Sequence, residues 1–241
     1  MMRAPSRNIA ILFSTLAFTS CSGGGSGTTP IQIATPPPPI VRSYSFAPGK
    51  ASATAGTVWD IIGVRTTLTG RFGNGGGNAY DTLTVDVTFV QDVSSALPPP
   101  GTMLNQPNQL GIVIGFDSDN NTGTGNFQSC DSSKLQLKPL EYLVDQGNNP
   151  RRLADGNYSI LGPNGAPISS GPNPDPASEA VVSTRGNTIT ESVFLPAIAA
   201  TSGLAVPSFG ILVTSANGAN GVTETDCQPS ATDGRIVLPV S

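Results

Sequence analysis

"TLTVDVTFVQD", residues 82–92, alternates with a period of two: Leu83, Val85, Val87 and Phe89 on one side, Thr84, Asp86 and Thr88 on the other. Successive side chains of a strand point to opposite faces, so this pattern predicts a half-buried antiparallel strand, one face on a core and one in water. "LGIVIGFD" (110–117) is apolar almost throughout and reads as a central strand. Other strand-type stretches flank these two. "TVWDIIGVRTTLTG" (57–70) places Trp59 and Ile61 on one side, and "LEYLVDQ" (140–146) reads as the strand after the central one. "NYSILGPNGAPIS" (157–169) predicts a hairpin turning at Asn164-Gly165. "AVVSTRGNTITESVFLPAI" (180–198) predicts another, turning at Arg185-Gly186-Asn187, and "FGILVTSA" and "GRIVLPVS" add two late strands.

Composition agrees with that reading. Of 241 residues 28 are Gly and 22 Pro, while only 12% are charged, which suits many short strands joined by tight turns and not long helices. The expected fold class is therefore all-β: an antiparallel, jelly-roll-like β-sandwich of 8–10 strands with little helix. The net charge is −4, with 12 Lys and Arg against 16 Asp and Glu. A mildly acidic chain argues against nucleic acid and against charge-driven binding to anionic lipid.

The N-terminus reads as an address. "MMRAPSRNIAILFSTLAFTS" (1–20) has Arg3 and Arg7 ahead of an apolar run too short to span a bilayer. "FTSC" then places small residues before Cys21 and resembles the lipobox of bacterial lipoproteins, which implies cleavage before Cys21 and lipid on its sulfur. An ordinary secretory signal cut nearby is the alternative. Residues 21–40, from "SGGGSGTTP" to "ATPPPPI", have the composition of a tether, flexible and then polyproline-stiffened. Residues 41–241 form the expected single domain. Ser22 follows the cysteine, which implies the outer membrane in a Gram-negative cell; the expected location is the cell envelope. Loss of residues 1–20 removes two arginines and no acid, taking the charge from −4 to −6.

With Cys21 assigned to lipid, Cys130 and Cys227 remain, and in an exported domain they most simply form one disulfide. Their polar flanks, "FQSCDSS" and "ETDCQPS", suit a bridge between surface loops; two unpaired thiols are the alternative. The chain has no histidine, which removes His-based nucleophile systems and His-ligated zinc or haem. A carboxylate pair could still perform hydrolysis, with Asp117 and Asp119 or Glu141 the candidates.

The loop "GFDSDNNTGTG" (115–125) is the best motif for a ligand. Hard cations such as Ca²⁺ take six to eight oxygens, and D-x-D-x-N spacing lets Asp117, Asp119 and Asn121 converge on one ion. Thr122 occupies the sixth position and no Glu the twelfth, so this is not an EF-hand, and Glu141 or Asp131 would complete the set. The competing reading is a strand-end turn in which Asp and Asn cap their own backbone. "GNGGGN" (73–78) precedes a strand, not a helix, and reads as a hairpin loop and not a phosphate cradle.

The order of these pieces, "WDI", "DTLTVDVTFV", "IGFDSDNNTGTG", "EYLVD", "TRGNTITESVFLPAI" and "FGILVTS", resembles the DOMON and family-9 carbohydrate-binding-module type of β-sandwich over roughly residues 55–240. That resemblance implies a jelly-roll-like scaffold, with calcium in some members and sugar or haem in others. The haem branch uses axial Met or His, whereas Met103 is the only methionine beyond the leader; the sugar branch uses paired tryptophans, whereas Trp59 stands alone. What carries over is the scaffold and the calcium loop. The functional expectation is a non-catalytic, lipid-anchored envelope module with a structural Ca²⁺. Its partners would be the membrane through Cys21 and an envelope polysaccharide or envelope protein. A carboxylate-dependent hydrolase acting on envelope glycans is the alternative.

Overall fold

A computed structural model of the chain describes residues 38–46, 59–70, 82–102, 109–117, 142–144, 153, 155–162, 166–168, 179–195, 208–217, 223–228 and 236–239. They form eleven strands: β1 (Ile40–Ser45), β2 (Ile61–Thr69), β3 (Thr82–Phe89), β4 (Leu110–Asp117), β5 (Tyr142–Val144), β6 (Tyr158–Leu161), β7 (Glu179–Arg185), β8 (Thr188–Phe194), β9 (Ser208–Asn217), β10 (Thr223–Gln228) and β11 (Ile236–Pro239). All of them lie in one compact unit, Thr35–Ser241. The fold is all-β, every pairing is antiparallel, and helix is nearly absent among the described residues.

Two sheets result. The first runs β1-β2-β3-β8-β7; the second holds β5, β4 and β9, with β10 and β11 sharing the far edge of β9. Strand β6 hydrogen-bonds to β5 on one side and to β7 on the other, so the backbone ladder passes from one sheet to the other through it.

The alternation read at 82–89 sets the orientation of the first sheet. Leu83, Val85, Val87 and Phe89 are buried, while Thr82, Thr84, Asp86 and Thr88 stay partly exposed. Register carries this across neighbours: Val64 lies opposite Val87, Leu68 opposite Leu83, and Val193 opposite Leu83 on the other side. Polar side chains pair on the outer face, where Thr84 and Ser192 hydroxyls meet at 2.9 Å and Thr190 donates to Asp86 at 2.6 Å. All eight residues of β4 are buried. Its Leu110, Ile112, Ile114 and Phe116 join β3's apolar face in one core, with Ile211 and Val213 from β9. The connection after β3 seals part of that core with Val93, Ala96 and Leu97, and Ala96 accepts a backbone hydrogen bond from Leu110 to start β4. This arrangement is β-sandwich-like.

The β7–β8 hairpin turns where expected. Gly186 has φ of 57°, the left-handed region that the first central position of a two-residue hairpin turn requires. The turn then docks: Asn187 accepts from the Phe89 amide and donates its side-chain amide to the Phe89 carbonyl, each at 2.9 Å.

Two expectations are corrected. Among the described residues the strand count is eleven and not 8–10, because β1 and β10 carry too little apolar alternation to be read as strands. Among the described residues, the return arm of the hairpin expected at 157–169 is a single bridge, Leu161 to Pro167, flanked by backbone hydrogen bonds from Gly162 to Ala166 at 2.9 Å and from Ile168 to Ile160 at 3.0 Å.

Truncating Leu83 to Ala should cost about 2–5 kcal/mol of unfolding free energy, because it empties a fully buried site. Thr84→Ala, one residue along on the outer face, should cost less than about 1 kcal/mol. Urea titration of the two variants measures the contrast; equal losses would refute the assigned facing of β3.

Candidate functional site

Asp117 is the last residue of β4, and β4 is flanked by β5 and β9. Position Asp117 pairs with Gly210 of β9, and the pairing with β5 ends one residue earlier, at Phe116. Asp117 belongs to the odd-numbered set of β4, opposite in facing to the core residues 110, 112, 114 and 116, yet it is fully buried. So a carboxylate at the head of the D-x-D-x-N loop is withdrawn from water at the end of a fully buried strand. Such a group is costly to bury ionised without a cation or hydrogen-bond donors beside it.

Of the other expected ligands, Asp119, Asn121 and Glu141 lie outside the described residues, as do Cys21 and Cys130. Among the described residues no three acids or cysteines gather as a metal-binding group.

Cys227 is described, and it is disulfide-bonded; its partner lies outside the described residues. Its setting corrects the expected one. Cys227 is not in a surface loop but inside strand β10, and is only 3% exposed. The polar flank that suggested a loop has a different cause. Asp226 and Gln228, on either side of it, are buried at 1% and 2% exposure, and their polarity is met by partners inside the protein.

Asp226 is the centre of that arrangement. Its Oδ2 accepts from the Ile61 amide at 2.7 Å, its Oδ1 from the Cys227 amide at 2.7 Å and from the Gln228 side-chain amide at 3.2 Å. Ile61 opens β2, 165 residues away in sequence, so one carboxylate ties the edge of the second sheet to the first. Ile61 is available because β2 bulges between Ile61 and Gly63. Burial pushes the Asp226 carboxyl up to about 6; the donated hydrogen bonds oppose the shift and the negative charge of Asp60 adds to it.

Sequence reasoning missed Asp226 and Gln228. It also missed Glu191, buried at 1% on the inward face of β8 between Val85 of β3 and Val182 of β7. The available signal for Glu191 was positional: in "TITESVF" it takes the alternating slot of Ile189 and Val193. Trp59 and Tyr158, aromatics of a kind that could stack on a sugar ring, are buried in the core. Comparison with family models, with curated proteins and with solved structures finds no match to this chain.

Replacing Cys227 by Ser should lower stability by about 2–5 kcal/mol, as loss of a native disulfide does in an exported domain. A non-reducing peptide map of the wild type identifies the bonded partner. The expected pairing with Cys130 is discarded if another cysteine is recovered.

Proposed function

We propose that the protein is a lipid-anchored cell-envelope module that binds and does not catalyse, built on a jelly-roll-like sandwich and pinned by Ca²⁺ at its acidic loop. The observation that carries the calcium reading is the complete burial of Asp117 at the first position of the D-x-D-x-N pattern. A hard, anionic oxygen held at the end of a rigid strand suits an oxygen-ligated divalent cation. Asp119 and Asn121 would supply the next ligands from the loop, with Glu141 from the chain that enters β5. Bound calcium would neutralise carboxylates that are otherwise expensive to bring together.

The anchor rests on the leader and on "FTSC", and the tether on "SGGGSGTTP". Acyl chains contribute about 0.8 kcal/mol per buried CH₂, so a multiply acylated Cys21 would hold the domain stably at a bilayer. The DOMON and family-9 resemblance supports an envelope polysaccharide or an envelope protein as the partner; burial of Trp59 removes the one tryptophan from any exposed sugar-stacking surface.

Calcium at a hundred times its dissociation constant should stabilise the native state by about 2.7 kcal/mol, raising Tm, and EDTA should reverse the gain. Asp117→Asn and Asp119→Asn should each abolish the calcium-dependent increment. If EDTA leaves the wild-type melt unchanged and elemental analysis finds no calcium, the metal reading fails. Glycan hydrolysis lost in these variants with the melt unchanged would instead favour the hydrolase. Cys21→Ser should move the protein from the detergent-requiring membrane fraction to the soluble one, and an unchanged distribution would count against lipidation.

A further inference from the structure

The two sheets have little backbone between them, and β10 sits on the free edge of β9 away from β4. What reaches from β10 to the first sheet is the Asp226 carboxylate, buried and accepting the Ile61 amide at 2.7 Å. Asp226 is preceded by a register shift in β10 between Glu224 and Asp226, which turns its side chain into the joint. The neighbouring charge is Asp60, one residue ahead of β2, and of the same sign. Among the described residues, the hydrogen-bond donors to Asp226 are the neutral Gln228 side chain and the backbone amides of Ile61 and Cys227. No cation acts on it among the described residues.

We propose that Asp226 is a pH-sensitive clasp between the two sheets, tightened by proton uptake in mild acid and loosened by ionisation at neutral pH. Three donors are too few to offset removal from water next to a second carboxylate, so the ionised form is the strained one.

The direction follows from linkage. The folded-state value is raised from 3.8 to about 6, so between those limits the native protein binds more protons than the unfolded chain. Stability from this site is then fully present below about pH 4 and is lost as pH rises through about 6. The unfolding constant should grow roughly a hundredfold over that window.

The test is urea unfolding of the full chain from pH 4.5 to 8. All variants are made in a Glu179→Gln background, because burial raises that carboxyl too. The parent should lose stability with a midpoint near pH 6, and a carboxyl-carbon NMR titration should place the midpoint on Asp226. Asp60→Asn keeps all three hydrogen bonds to Asp226 and should move the midpoint down; Gln228→Glu adds a negative charge and should move it up. Asp226→Asn should flatten the profile. If that variant does not fold, Asp60→Asn decides the matter. Parallel profiles for the parent and Asp60→Asn, or an Asp226 carboxyl titrating near 4, overturn the proposal.

Discussion

Two sheets share one apolar core here, and among the described residues the backbone ladder crosses between them only through β6, a four-residue strand with two paired positions on each side. Everything else that fixes one sheet on the other has to be side chain or connection. The core supplies most of it: the β3 face of Leu83, Val85, Val87 and Phe89 cannot be left in water, and β4 and β9 bring the residues that cover it. The crossing after β3 contributes Val93, Ala96 and Leu97, and the docked β7–β8 turn holds the end of β3 in place. Core contacts of this kind are non-directional. The Asp226–Ile61 hydrogen bond adds direction, because it is satisfied in one relative placement of β10 and β2.

Period-two alternation made β3 legible, and the unbroken apolar run made β4 legible, because in both the burial pattern is written in side-chain hydrophobicity. The β7–β8 hairpin was legible through Gly186, a residue type chosen by backbone geometry. β10 was not legible, for a physical reason. In "TETDCQ" the inward positions are an acid and an amide, which satisfy themselves on the Ile61 and Cys227 amides and on each other. A sequence scale that assigns burial by polarity reads such a strand as a loop. The Cys227 setting was misread through the same error.

The candidate site was legible in part. D-x-D-x-N spacing, five residues wide, drew attention to Asp117, and its place at the end of β4 could be read because the strand before it was itself readable. Glu191 and Asp226 had no such local signature. Each becomes notable only when strand register places it, Glu191 between Val85 and Val182 and Asp226 beside β2. Long-range juxtaposition is what a single sequence expresses least, and these residues are defined by nothing else.

Asp117 and Asp226 also stand in opposite relation to protons. A calcium ligand must be ionised, so the metal binding proposed for the Asp117 loop would weaken as pH falls. The clasp behaves in reverse, since its ionised form is the costly one. In a domain carrying both, acid would release the loop while tightening the joint, and neutral pH would do the converse. Calcium, if bound as proposed, would then compensate where the clasp is weakest, and the loaded domain would hold a flatter stability across mild acid to neutral pH than the metal-free one. The two carboxylates differ in what surrounds them: one heads an oxygen-rich loop that a cation can neutralise, while the other is closed in by amides and a second acid, where a proton is the smallest positive charge that fits.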